Sequence, residues 1–350
     1  MLTSCVDNVS MLTVISKDGS VHREICFAAD SSSTQNDDTS LTETFMSVVL
    51  NDREWTKEWK KVQKDSTRMD STMMCFASRD FKNVKEMAEN YPIRVGGKSI
   101  LKNCGLKKSF HWFYTDYAFT ETYNDYSASF SIPITEYLDK EAASYFLTGY
   151  PNILEGKNGY EAQDILDNMN TGYESWITAN IMNDVMETIV KSHDSLPGIP
   201  LSKEEIVATR DSLIKYAMDN GITLAGTYLG LGRLMDDFYH TDYFRMILGD
   251  ENIVSKSLEA KLEPLAALGD LEVDYRLAMP GTRIIDKGYG IIKDNDICYS
   301  ITEPRLFSPC YTIAATFRHT NVWAYFATLF VACIAIWLSI RLRKKDAKIQ

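Results

Sequence analysis

The sequence predicts an α+β fold: a mostly antiparallel β domain carrying a large helical insertion, followed by one C-terminal transmembrane helix. Three observations carry this. Apolar and polar residues alternate in short runs before residue 133 and again after residue 263. Between 134 and 262 the apolar period lengthens to that of a helix, and residues 322–340 contain no charge at all. The chain therefore divides into a β-rich first part (6–133), a helical insertion (134–262), a β-rich return to the same domain (263–320), a span (321–341) and a basic tail (342–350).

In order along the chain, "MLTVISKDGSVHREICF" gives two strand-like runs around Lys17-Asp18-Gly19-Ser20. Asp-Gly between β-branched residues signals a hairpin, because glycine takes positive φ without steric cost. The polar run "DSSSTQNDDTS" reads as a loop. In "DREWTKEWKKVQKD" Trp55 and Trp59 stand four apart, which predicts a helix with both rings on one face. "RDFKNVKEMAENYP" predicts a second short helix, stopped before Pro92. The densest aromatic run, "SFHWFYTDYAFTETYNDYSASF", predicts one long central strand. Phe113, Tyr117, Phe119 and Tyr123 line one face and Phe110, Trp112 and Tyr114 the other. A packed strand is favoured there over a stacking platform for a flat ligand.

In the insertion, Ile177, Ile181, Val185 and Ile189 recur every four residues as one buried stripe. Ser202 and Glu205 form a capping box that opens a helix running to Asn220-Gly221. "ITLAGTYLGLGRLMDDFYHTDYF" reads as a helix returning against it. Its glycines lack the Gly-Lys-Ser/Thr ending of a phosphate loop, so Gly226 and Gly230 are expected to permit close helix packing. Beyond the insertion, "LEVDYRLAM" alternates cleanly and predicts a half-buried strand. "RIIDKGYGIIKDNDICYSI" and "CYTIAATFRHT" add further strands, the last leading directly into the apolar segment.

That segment, 19 residues at about 1.5 Å each, reaches roughly 28 Å as a helix, close to the hydrocarbon thickness of a bilayer. Val322 and Ile340 bound it, Trp323 and Tyr325 stand near one end, and Trp337 stands near the other, where interfacial rings belong. Arg341, Arg343, Lys344 and Lys345 follow at once, while only Arg318 and His319 stand close before it. The positive-inside rule then puts the tail in the cytoplasm and the body outside it. The chain of 350 residues has net charge −11; the last ten residues contribute five bases and one acid, leaving −15 on the rest. Such a body repels a phosphate backbone, so a nucleic-acid partner is excluded, and the bilayer is the partner the sequence points to, with another envelope protein as a possible second.

An outside body needs an export signal. "LTSC" resembles the lipobox of bacterial lipoproteins, in which a cysteine after small residues is lipidated; residues 1–5 then read as the remnant of a signal peptide ending at Cys5. With the "KDGS" hairpin, the "YRLAMPGTRII" strand and turn and the basic-flanked span, the chain resembles LppM-type membrane-anchored bacterial lipoproteins. The resemblance implies a place in the cell envelope, outside the cytoplasmic membrane. It brings no catalytic residues with it, and the helical insertion departs from the compact pattern.

Signals for chemistry are sparse. No cysteine pair has C-x-x-C spacing, so neither a metal nor any other cofactor is expected; Cys298 and Cys310 could cross-link neighbouring strands in an oxidising compartment or remain thiols. Asp236 and His240 are four apart, with Asp237 and Asp242 nearby, and would share a helix face as the start of a metal or acid–base site. Three functions follow, in order of preference: a non-catalytic binding or assembly domain anchored in the envelope, an envelope hydrolase using Asp236 and His240, and a sensor working through a membrane partner.

Overall fold

The computed structural model describes residues 9–28, 47–63, 71–95, 97–128, 130–220, 228–249, 253–266, 268, 271–281, 283–309 and 311–346. Among the described residues the chain builds two larger β-sheets that share a core, a small two-stranded sheet, a helical block inserted between the strands, and a terminal helix, as the sequence patterning predicts. β1 (Val9–Ile15) and β2 (Val21–Ala28) form the expected hairpin. Gly19 takes φ 97°, and the Asp18 carboxylate accepts from the Ser20 amide at 3.0 Å. After α1 (Ser47–Asn51) come β3 (Thr56–Gln63), β4 (Ser71–Phe81), α2 (Val84–Glu89), the two-residue strands β5 (Arg94–Val95) and β6 (Lys98–Ser99), β7 (Leu101–Phe110) and β8 (Tyr114–Tyr123).

Two expectations fail here. The Trp55–Trp59 segment is an edge strand, not a helix: Trp55 precedes β3 and is buried, whereas Trp59 lies within it and is exposed. Its lysines suit an open sheet edge, and Lys57 donates to the carbonyls of Val49 (3.0 Å), Leu50 (2.7 Å) and Asp52 (2.8 Å), covering the end of α1. The aromatic run is not one strand but the end of β7, a turn at 111–113 and all of β8. Tyr117, Phe119 and Tyr123 face the core as expected, and Phe110, Trp112 and Phe113 do not.

The insertion contains α3 (Lys140–Thr148), α4 (Gly159–Ser192), α5 (Lys203–Ala208), α6 (Arg210–Asp219), α7 (Tyr228–Tyr239), α8 (Tyr243–Gly249) and α9 (Ile253–Ala266). The 34-residue α4 is its axis, opened by an Asn158–Glu161 capping box. Ile177, Ile181, Val185 and Ile189 are buried, and so is almost every side chain between Trp176 and Ile189, because helices pack around α4 on several sides. Asp184 on this buried stretch is matched by Lys261 of α9 at 3.0 Å. The Ser202–Glu205 capping box is present, but its helix breaks at Thr209 before α6 continues to Asn220. The returning helix is likewise divided, at His240, which adopts φ 53°. Close packing falls at Gly232, where a Cβ would meet the Arg245 Cα at 2.8 Å; Gly230 faces open space and Gly226 lies outside the described residues.

β9 (Glu272–Ala278), β10 (Arg283–Asp286), β11 (Ile291–Lys293), β12 (Asp296–Thr302), the short helix α10 (Glu303–Leu306) and β13 (Thr312–Thr320) complete the body, and α11 (Val322–Asp346) ends the chain. One sheet has the order β11-β12-β9-β1-β2-β4-β3 and the other β10-β13-β8-β7; all pairs are antiparallel except β1 with β9. The faces between the sheets share one core. A second core surrounds α4 and joins the body where Phe130, Trp176 and Phe307 pack ring on ring.

In the body core, Arg23 of β2 meets Glu121 of β8 at 2.6 Å, both side chains fully buried, so this pair bridges the two sheets. Thr13 accepts from Arg23 Nε at 3.1 Å, Tyr123 donates to the second Glu121 oxygen at 3.0 Å, and the guanidinium lies 5.1 Å from the Tyr91 ring. Burial raises the pKa values of Tyr91, Tyr123 and Tyr275, so these phenols stay neutral around the charge pair.

Candidate functional site at the base of the C-terminal helix

The handover from β13 to α11 is made by Asn321, a buried residue. Its amide donates to the Phe113 carbonyl at 2.9 Å, and its side-chain amide donates to the carbonyls of His111 (2.8 Å) and Trp112 (3.4 Å). Its own side-chain oxygen accepts from Thr115 Oγ1 at 3.2 Å. The His111 amide bonds the Tyr114 carbonyl at 2.8 Å and closes the turn. A tight turn made of histidine, tryptophan and phenylalanine, with no glycine or proline, is thus held by an asparagine 210 residues further along.

Rings then join the turn to the helix. Phe110 stacks parallel to Trp323 with centroids 6.4 Å apart, Trp112 meets Trp323 edge-on at 5.2 Å, and Phe113 meets Tyr325 at 4.7 Å. Trp112 Nε1 also donates to Thr328 Oγ1 at 2.9 Å, almost two turns into α11. Beside this junction Arg318 grips Asp116 with two bonds of 2.7 and 2.8 Å and covers the Tyr114 ring at 3.7 Å. The bond from Arg318 holds the Asp116 carboxyl below its ordinary range, and burial followed by nearby Lys17 lowers the pKa of His319.

Despite these contacts the aromatic turn is bare on its outer side: Phe110 is 60%, Trp112 49% and Phe113 39% exposed. The helix it leans on is barer still. Val322–Arg341 is long and apolar enough to cross a membrane, and Ala324 is its one buried residue. Trp337 at the far end lies under Arg341, whose charge is 5.3 Å from the ring. The backbone of Arg343, Lys344 and Lys345 continues the helix.

No known family model matches this chain, and comparison with curated proteins and with solved structures returns no match.

The other residues singled out in the sequence do not assemble into a site. Asp236 is buried, but its carboxylate is occupied by the amides of Phe244 (2.7 Å) and Arg245 (3.1 Å) and by Arg245 Nε (2.8 Å), a cap on α8. His240 is exposed past the end of α7, where its positive φ breaks the helix face it was expected to share with Asp236. Among the described residues no group of three or more His, Cys, Asp or Glu side chains could hold a metal ion. Cys298 is a free thiol on the outer side of β12; Cys310 and Cys5 lie outside the described residues. Burial pushes the Cys75 thiol up to about 11, which makes it a poor nucleophile.

Concavities lie elsewhere among the described residues. One, of about 350 Å³, crosses the outer face of the larger sheet between Leu12, Glu24, Cys26, Glu58, Lys60 and Phe76. In it Lys60 pairs with Glu58 at 2.9 Å and lies 5.3 Å from the Phe76 ring. The second, of about 580 Å³, opens between Tyr137, Asp139, Ile153, Lys157 and Met169 in the helical block. The first also holds Cys26, whose thiol burial pushes up and so keeps protonated, and its one cation, Lys60, is taken up by Glu58. What sequence reasoning missed is Asn321: a lone asparagine before an apolar run gives no local sign that its partners lie in another hairpin.

Proposed function

We propose that this chain is a membrane-anchored binding or assembly domain without catalytic activity, held to a bilayer by α11. The observation that carries the reading is the union of an exposed, uncharged 19-residue stretch with a folded body through Asn321 and the aromatic turn. An apolar helix bare on every face has no stable place in water, and a bilayer is the solvent that fits its length. The grooves on the sheet and helical block supply surfaces for a partner, such as another envelope protein.

By the charge rule, Arg341, Arg343, Lys344 and Lys345 hold the tail on the cytoplasmic side and the body faces away from it. The rule counts charges in the flanking chain, so Lys17 and Lys108, which folding brings to the body's near end, do not alter the count. The resemblance of "LTSC" to a lipobox adds Cys5 as a lipid attachment point in a bacterial envelope.

Alkaline carbonate extraction tests the anchor: the full chain should stay in the membrane pellet, and release into the supernatant defeats the reading. Protease added to intact spheroplasts should digest the body while cytoplasmic controls survive; protection of the body reverses the orientation. The mass of the native N-terminal peptide tests lipidation of Cys5.

A further inference from the structure

We infer that the turn joining β7 and β8 is itself a membrane-inserted element, seated in the outer part of the same bilayer that α11 crosses. This rests on reading α11 as a span and goes beyond it, because a single helix on its own would leave the body free to swing.

The first argument is length. Trp112 is bonded to Thr328, six residues beyond Val322 and so about 9 Å along the helix axis. If the aromatic turn stayed in water, the helix it sheathes would stay there too. Only residues 329–340 would then remain below it, about 18 Å of helix against roughly 30 Å of hydrocarbon. The basic residues from Arg341 onward cannot make up the difference. To give α11 a full span, Trp112 and its neighbours must enter with it.

The second argument is polar satisfaction. A loop is tolerated in a bilayer only where its backbone groups find partners inside the protein. At this turn the carbonyls of His111, Trp112 and Phe113 all accept from Asn321, and the His111 amide is bonded to the Tyr114 carbonyl. The Trp112 indole N–H is matched by Thr328. The three carbonyls, the His111 amide and the indole N–H are paired inward while bare rings point outward, unlike a water-facing turn.

The third is the order of residue types along the hairpin. Lys107 and Lys108 stand two to three residues above Phe110, about 7–10 Å higher along β7. Rings below and ammonium groups above match the hydrocarbon edge and the headgroup layer.

The test uses the full chain in phosphatidylcholine vesicles and tryptophan quenching. The emission belonging to Trp112 is the difference between the wild type and Trp112→Phe. Bromine placed high on the acyl chain should quench that emission severalfold more strongly than aqueous iodide does. Phe110→Trp adds a second reporter at an exposed position that tolerates the larger ring, and its added emission should show the same preference. If iodide quenches both reporters while the Trp337→Phe difference still responds to brominated lipid, the anchor stands and the inserted turn is refuted. If none of the three responds to brominated lipid, the anchor fails and the inserted turn with it. Far-UV circular dichroism of each variant checks the fold, and the Phe110→Trp result decides should Trp112→Phe lose it.

Discussion

The two ends of β8 treat polarity in opposite ways. At one end Glu121 is buried with Arg23 in the body core, among tyrosines and out of contact with water. At the other end, a few residues away across Tyr114, the chain turns on tryptophan and phenylalanine left exposed. The same remedy is used twice. At the core end Arg23 bonds Thr13 of β1 and Glu121 of β8, and Tyr123 of that same strand donates to the second Glu121 oxygen, leaving only Arg23 Nη1 of the pair without a partner. At the turn each backbone carbonyl is given a donor from Asn321. Completing the hydrogen bonds makes a polar group tolerable in a medium of low dielectric. At the core end that medium is the protein's own interior; at the turn it would have to come from outside, which is the ground of the proposed insertion into a bilayer.

The largest effect is expected at the buried pair. Arg23→Met or Glu121→Leu alone should cost about 3–5 kcal/mol, because each leaves its partner charged and unmatched in the core. The double substitution should recover most of that loss in denaturation of the full chain in detergent micelles. A double variant as unstable as either single one would mean that the pair depends on more than its own charges. Next comes the turn: Asn321→Ala removes the side-chain donor to two carbonyls and should cost about 1–3 kcal/mol. The loss should be local, read as faster hydrogen exchange at the His111 amide with the β1 and β2 amides unchanged. Equal acceleration everywhere would make Asn321 a general core residue.

A smaller effect should follow acidification beside the turn. The Asp116 pKa is lowered mainly by its bond from Arg318, so its stabilisation is present above the ordinary carboxylate value of 3.8 and is lost as pH falls through the folded value. Asp116→Asn should remove this acid-side slope at the β8–β13 pair and nowhere else. The smallest effect belongs to His22, on the solvent face of β2 next to Arg23. Burial opposes its charge, but bonds to Asp80 (2.7 Å) and Glu24 (3.2 Å) prevail and raise its pKa. Its contribution is therefore full below 6.5 and fades as pH rises through the folded value. His22→Gln should narrow the gap from wild type with rising pH; a constant gap would show that the charge is irrelevant.

How much of this could be read from the chain depended on whether the controlling contacts were local. The "KDGS" hairpin, the alternation of "LEVDYRLAM" and both capping boxes rest on residues within four positions of one another, and the sequence-based reading of the first two and of Ser202 with Glu205 is correct. Trp55 and Trp59 misled because a spacing of four fits a helix face and also two strand positions of the same parity; Lys57 between them and Lys60 and Lys61 after them belong to an edge strand, whose neighbour in the sheet is set at long range. The aromatic run read as one strand because its turn has no turn residues: the bond that bends it comes from Asn321. Asp236 and His240 looked like a pair until the helix broke between α7 and α8, a break stabilised by the Asp236 cap itself. The apolar stretch at the end needed nothing beyond its own composition.

One feature of the sheets bears on how the protein is made. Val9 lies beside Val273 in parallel register, and β8 is covered by β13, which ends at Thr320, two residues before the apolar helix begins. Neither sheet can be completed until synthesis has nearly reached the apolar helix, whereas the helical insertion has all its own pieces by Ala266. The body is thus obliged to finish folding only as its last strand leads into the apolar helix, with the earlier-made β7–β8 loop already at hand to be clasped there.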